Sequence, residues 1–174
     1  MSNVLIGIIG VILFIGLALA GALLLGDDFK SANNDTKAAS IVQGLVQTAS
    51  AVSMSNIKTG APRTPETLSA STTLIPRFLK AAPVNPVTDT VNMILVDSAG
   101  ASSGTNPAVG AVTLLGATTN SEAKAVCESI QRQSGQIAAT ASFDASVKST
   151  NPSTWTSTYG CLQASAGFYA YHKI

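Results

Sequence analysis

Hydrophobic residues fill one end of the chain. The run from Val4 to Leu25 contains no charged and no strongly polar side chain. As an α-helix at about 1.5 Å per residue it would extend about 33 Å, close to the bilayer hydrocarbon thickness of about 30 Å. The pattern therefore predicts a membrane-spanning helix. The h-region of a secretory signal is the alternative, but such a region is usually shorter and follows basic residues, whereas the first lysine here is Lys30.

Glycine recurs through this run, although each glycine weakens a helix by up to about 1 kcal/mol relative to alanine. In an apolar helix, glycine usually indicates the close approach of another helix or a local kink. The positions are Gly7, Gly10, Gly16, Gly21 and Gly26.

Helical periodicity continues beyond the first charged residues. Asp27, Asp28 and Lys30 follow the run without a Lys/Arg cluster that would hold the C-terminal side in the cytoplasm, so we expect the rest of the chain to face outward. The sequence predicts one long helix, apolar on all sides over residues 1–26 and amphipathic over residues 27–58. The stripe of the second half consists of Ala38, Ile41, Val42, Leu45, Val46, Ala49 and Val52.

The junction of the two halves carries residues that disfavour helix, Gly26, Asp27, Asn33 and Asn34. We expect a weak point there. In an assembled fibre, the helix is expected to be continuous through its amphipathic half and loosened somewhere between Gly16 and Gly26.

A globular head is predicted over residues 59–174. Gly60 and Pro62 end the long helix, and Thr64 is the expected N-cap of a short helix that Pro76 interrupts. The prolines that follow, Pro83 and Pro86, predict an extended loop.

Strand and helix signals alternate through the remainder of the head. The runs 91–96 and 108–116 predict an antiparallel strand pair, and residues 119–122 predict a capping box for a helix that reaches Ile137. Residues 140–158 indicate loop, and the alternating aromatic segment 167–174 predicts a final strand. The fold class is therefore α+β, a long N-terminal helix packed on a small antiparallel sheet.

Composition limits the function classes. Only 11% of the 174 residues are charged and the net charge is +1, so no basic field attracts nucleic acid, and sequence-specific nucleic-acid binding is not expected. The sequence contains two cysteines, Cys127 and Cys161. Because they follow a membrane-targeted N-terminal segment, they predict one disulfide in an oxidising compartment.

Catalytic chemistry is not indicated, and no cofactor or metal is expected. A catalytic triad or multi-histidine metal site would depend on His172 alone, which we interpret as a half-exposed strand residue. Three glutamates have helix-cap or helix-surface interpretations: Glu66, Glu122 and Glu128. Two weaker alternatives remain. One is a calcium site formed by Asp89, Asp97, Asn85 and Asn92, whose expected role is in loops. The other is base stacking on aromatic residues whose expected role is in the core, namely Trp155, Tyr159, Phe168, Tyr169 and Tyr171.

Three segments carry a family resemblance: the apolar MSNVLIGIIGVILFIG, the amphipathic TKAASIVQGLVQTASAV, and EAKAVCESI with YGCLQASAGFYAYHKI. Together they resemble a type IV pilin, most closely the type IVb branch. The resemblance implies the structural subunit of an extracellular pilus-like filament, a homopolymer built through its N-terminal helix. It also implies an inner-membrane monomer, partnership with the pilus assembly machinery, and methylation at Met1.

One position departs from the family pattern, because Leu5 stands where pilins usually have glutamate at the fifth mature position. Register between copies must then come from shape, chiefly glycine notches against larger side chains. The expected packing residues are Leu5, Gly7, Ile8, Ile9, Gly10, Leu13, Phe14, Gly16 and Gly21. A pseudopilin or minor pilin of a secretion system and a membrane-anchored monomeric surface-binding protein are the alternatives. Adhesion, motility, DNA uptake and phage reception remain open as tasks of the filament.

Overall fold

The computed structural model describes residues 2–138 and 151–174. Within the first helix it describes the side chains of residues 7–21, of Gly26 and of residue 28 onward. Met1 and most of the loop predicted over residues 140–158 lie outside the described residues. The chain divides into two compact units, Met1–Asn33 and Asn34–Ile174.

The long helix α1 runs over Ser2–Thr59. It passes through Gly26, Asp27, Asn33 and Asn34 as α-helix, so the expected weak point does not interrupt it in the single chain. It ends because Gly60 adopts a left-handed backbone with φ of 67°. The Gly60 N–H donates to the Asn56 carbonyl at 2.9 Å, which satisfies one carbonyl of the last turn.

Four antiparallel strands form one sheet in the order β1-β2-β4-β3, which confirms the α+β prediction. Their bounds are Met93–Val96 (β1), Gly110–Gly116 (β2), Tyr159–Ala164 (β3) and Gly167–Lys173 (β4). The pair β1–β2 and the terminal strand β4 were expected from the sequence. Strand β3 was missed. It forms a hairpin with β4 in which Ala164 pairs with Gly167 across Ser165 and Ala166.

The sheet is buried on both faces. On one face it shares a core with the helices, formed by residues such as Leu45 and Val52 of α1, Leu95 of β1 and Ile130 of the second helix. On the other face, a smaller cluster contains Val96, Val112, Trp155, Leu162 and Tyr171. Burial on both faces explains why apolar residues in β2 are nearly continuous rather than alternating.

The helix expected to start at Thr64 is wrong. Residues 62–66 are not helical, and only a single 3₁₀ turn follows at Leu68–Ala70. The backbone of this segment bonds to the sheet instead: the Leu95 N–H donates to the Glu66 carbonyl at 2.8 Å, and Thr67 forms a bridge with Ile94. These long-range hydrogen bonds outweigh the local capping preference of Thr64 and its neighbours.

The second helix, α2, covers Ser121–Gln133, and both of its predicted ends need correction. Its N-cap is Asn120 rather than Thr119, since Asn120 Oδ1 accepts from the N–H groups of Glu122 at 3.0 Å and Ala123 at 3.1 Å. The helix also ends before Ile137, because Gly135 takes a positive φ of 73° and turns the chain toward the sheet.

Candidate functional site

The first half of α1 presents apolar side chains to the outside on every side. Residues 11–15 are all exposed, and five consecutive positions at 3.6 residues per turn go once around a helix. No side of this described segment is covered by the rest of the chain. The exposed large side chains, between 50% and 75% accessible, are Ile8, Ile9, Val11, Ile12, Leu13, Phe14, Ile15, Leu17 and Leu19.

The glycines of this half have no packing role within the chain. A Cβ built at any of them would meet nothing within 4 Å, and these positions are Gly7, Gly10, Gly16, Gly21 and Gly26. Gly44 in the second half differs, because a Cβ there would lie 2.9 Å from Pro83 Cβ. Close packing explains Gly44 within the monomer, but it does not explain the five glycines of the first half.

Two expected site residues are only partly covered by the description. Met1 lies outside the described residues, and Leu5 belongs to α1 while its side chain lies outside the description.

In the described part of the chain, no helix has both the length and the apolar content needed to cross a bilayer.

The second half of α1 combines a buried face with an uncharged outer face. Residues 38–57 contain no charged side chain. The inner face, with Leu45 and Val52, belongs to the core, while Val46, Met54 and Ile57 are exposed large apolar residues on the outer side. An uncharged outer face offers little electrostatic resistance to contact with another apolar surface.

Cys127 of α2 and Cys161 of β3 form a disulfide, with 5.4 Å between their Cα atoms. Both are fully buried. The bridge ties α2 to the edge strand of the sheet, and the sequence separation is 34 residues.

Two glutamines that sequence analysis missed close the edge of β3. Gln136 Oε1 accepts from the Cys161 N–H at 2.9 Å, and Gln131 Nε2 donates to the Cys161 carbonyl at 3.1 Å. A Cβ at Gly160 would overlap the Gln136 amide, so a side chain there would displace that amide from the Cys161 N–H. Gln131 lies in α2 and Gln136 lies just beyond its end. Glutamine normally indicates a solvated surface, and no signal in the sequence distinguishes these two.

The glutamates lie in structural positions. Glu122 pairs with Lys37 of α1, and Glu128 pairs with Arg132 one turn along α2. Glu66 accepts from the Thr73 hydroxyl at 3.4 Å. These contacts join neighbouring segments and do not converge on a common cleft.

His172 lies in β4, opposite Ala111 and Tyr159. It is half-buried, and its Nδ1 has no hydrogen-bond partner among the described residues. Within the described part of the chain, no group of three or more His, Cys, Asp or Glu side chains is arranged to hold a metal ion.

The Asp97 carboxylate, named above in the calcium alternative, accepts hydrogen bonds from its own loop. Oδ1 accepts from the N–H groups of Ala99 and Ala101, both at 2.9 Å, and Oδ2 accepts from Asn106 at 3.0 Å. These bonds, that from Asn106 foremost, hold the pKa of Asp97 below its ordinary value. Asn85 and Asn92 instead both donate to the Leu114 carbonyl.

The aromatic residues belong mainly to the core. Trp155 stacks on Tyr171 with ring centroids 4.2 Å apart and an interplanar angle of 23°. Both are buried, and desolvation raises the pKa of Tyr171. Trp155 and Tyr171 therefore present no open ring face on which a base could stack.

Comparisons of the chain with protein-family models, with curated proteins and with solved structures find no match.

Proposed function

We propose that this chain is the structural subunit of an extracellular filament of the type IV pilus kind, polymerising through the first half of α1. The observation that carries the proposal is the exposed apolar surface of residues 8–19, which surrounds the helix on all sides. A helix that is apolar all round is buried in its working state, either in lipid or against protein.

The energetic argument favours two successive environments for this helix. Full burial of one leucine, isoleucine or phenylalanine side chain is worth about 1.5–3 kcal/mol relative to exposure in water. Nine such exposed side chains therefore strongly oppose a state in which this helix is solvated. The monomer waits in the inner membrane, and the assembly machinery then transfers the helix from lipid to a core made of its copies.

The glycines support assembly over simple anchoring. Between lipid and protein, hydrophobic transfer contributes little, so helices associate through van der Waals packing and close approach. Gly7, Gly10, Gly16 and Gly21 leave notches that nothing in the monomer fills. In the filament, Ile8, Ile9, Leu13 and Phe14 of neighbouring copies fill them, and register follows from this fit.

Leu5 stands where a pilin usually has glutamate at the fifth mature position, and no carboxylate stands before Asp27. Register between copies then depends on the fit of the helices rather than on a charged pair in a dry core, where an unpaired charge is costly.

Electron microscopy of material sheared from cells tests the proposal. Abundant thin fibres that contain this chain, identified by mass spectrometry, are the expected result. Recovery of the chain only as a membrane-bound monomer would refute the filament and favour the monomeric surface-binding protein. A trace amount at the tip or base of fibres made of another subunit would identify a minor pilin or pseudopilin.

A further inference from the structure

Most charged side chains of the described residues have partners within the chain. The two ion pairs are Lys37–Glu122 and Arg132–Glu128. Asp97 is occupied by its loop, and Arg63 donates from Nε to the Ser55 hydroxyl at 2.7 Å. The charges that remain without such partners in the described part of the chain are therefore informative.

Three of the remaining cations lie together, and we call them the basic cluster: Lys58, Arg77 and Lys80. Lys58 is in the last turn of α1, and its Nζ lies 5.9 Å from the ring centroid of Phe78. Arg77 precedes Phe78 and Lys80 follows it by two residues, so both lie close in sequence to this half-buried ring. All three are exposed.

The members of the basic cluster are not equally available. Lys58 interacts with the Phe78 ring and with the negative end of α1. No described contact engages Arg77 or Lys80. Arginine also offers a planar fork that can bind a carboxylate through two hydrogen bonds. Arg77 is consequently the best-placed group for an external carboxylate.

Two exposed acids, Asp28 and Asp89, have neither an ion pair nor a side-chain hydrogen bond among the described contacts. They differ in what assembly does to them. Asp28 lies three residues after Leu25, the last residue of the apolar run, so we expect packing of that run against copies to remove water from its carboxylate. A desolvated carboxylate needs a cation close by.

We propose that Arg77 and Lys80 of one copy pair with Asp28 of another copy in the fibre. The proposal rests on the filament function proposed above and identifies a contact within it. The pair supplies an electrostatic register where this chain has no carboxylate near its N-terminus. Helix packing then determines how closely the copies fit, and the charged contact determines which residues of neighbouring copies lie together.

Charge reversal tests the pairing. Full-length Arg77→Glu is expressed at wild-type level in cells without the native chain, and fibres per cell are counted by electron microscopy. We expect at least a tenfold loss. Lys124→Glu is the matched control, because Lys124 is exposed on α2, lacks a described ion pair and changes the net charge equally. The fibre count of Lys124→Glu should stay within twofold of wild type. In both variants, Cys127 and Cys161 should resist alkylation, which shows that the disulfide has formed and the head has folded.

A second reversal identifies the partner. Adding Asp28→Arg to Arg77→Glu should restore fibres to within threefold of wild type, whereas adding Asp89→Arg should not. Restoration by Asp89→Arg, or by neither change, overturns the pairing. Normal fibres from Arg77→Glu also overturn it and leave the filament function standing, whereas a wild-type chain without fibres refutes the function itself. If Arg77→Glu fibres form normally but bind duplex DNA more weakly than wild-type fibres do, the basic cluster binds a polyanion rather than Asp28 of another copy.

Discussion

The two halves of α1 share one secondary structure and place the same residue type in opposite surroundings. Leu13 in the first half is 61% exposed, whereas Leu45 in the second half is 0% exposed. Both belong to one uninterrupted α-helix. The difference is that Leu45 packs in the core of the head while nothing described covers Leu13. The second half of the helix thus contributes to the fold of its own chain, and for the exposed first half we propose contacts outside that chain.

Glycine shows the same contrast. A Cβ at Gly44 would lie 2.9 Å from Pro83 Cβ, so the monomer itself requires glycine there. A Cβ at Gly10 would meet nothing within 4 Å. The requirement at Gly44 is visible within one molecule, whereas the described part of the chain shows no packing requirement at Gly10.

The largest expected effect comes from filling a notch in the first half. Gly10→Leu should abolish or disorder fibres because a leucine prevents close helix approach, while Leu5→Ala should lower the fibre count only modestly. Fibres of both variants are counted at equal expression. The stability of the head should be the same in Gly10→Leu as in wild type. Normal fibres from Gly10→Leu would contradict the hypothesis that the glycine notches allow close packing of helices.

Removing the disulfide should be the largest single change to the head. A closed loop with a sequence separation of 34 residues contributes roughly 3–4 kcal/mol to the free energy of unfolding in the chain-entropy model. Denaturant unfolding of the full chain in detergent, with Cys127 and Cys161 both replaced by alanine, measures this loss. Two alkylatable thiols in the native protein would show instead that the bridge does not form.

The leucine comparison can be tested directly. Leu45→Ala should lower the free energy of unfolding by about 3 kcal/mol, because it removes buried methyl groups and leaves a cavity. Leu13→Ala, the matched variant in the first half, should change it by less than about 0.5 kcal/mol. Equal effects of the two substitutions on denaturant unfolding would contradict the division between the halves.

A smaller effect is expected at the start of α2, which Glu122 joins to the second half through Lys37. Asn120→Ala should cost about 1 kcal/mol because two backbone N–H groups lose their acceptor. Thr119→Ala is the control and should be nearly silent. If thermal unfolding shows a larger loss of stability for Thr119→Ala than for Asn120→Ala, the N-cap is Thr119.

The smallest effect concerns pH and the loop after β1. Hydrogen bonds lower the folded-state pKa of Asp97, so its contribution to stability is present above the ordinary aspartate pKa of about 3.9. The contribution is lost as the pH falls through the lower, folded-state pKa. Unfolding of Asp97→Asn should therefore be less sensitive than wild type to pH below about 4. Identical pH profiles would remove Asp97 from this role.

Periodicity predicted the regular elements whose stabilising contacts follow the pattern. The apolar stripe gave the second half of α1, and alternating or continuous β-favouring runs gave β1, β2 and β4. Strand β3 escaped because its hairpin turn, Ser165-Ala166, has none of the glycine or asparagine that usually indicates a two-residue turn. The helix expected at Thr64 failed because backbone bonds to distant residues decide that segment.

The candidate site divides in the same way. Residue type alone selected the cysteine pair, which the structure joins in a disulfide. The apolar packing residues stay a prediction about contacts between copies. The basic cluster depends on Lys58 meeting Phe78 and its neighbours across a turn of the fold. Gln131 and Gln136 act through single side-chain amides on one backbone position. Contacts of this kind have no periodic signature, and only the folded chain reveals them.

The capped edge of β3 would also matter in the proposed fibre, where many heads lie close together. An exposed strand edge is a template for pairing with another chain, and a filament holds many identical edges at high local concentration. Gln131 and Gln136 occupy both backbone groups of Cys161 in the middle of that strand. Both backbone groups of Cys161 are therefore occupied by the chain's own side chains, so this position of the β3 edge is closed to pairing with another strand although the strand carries no charged residue.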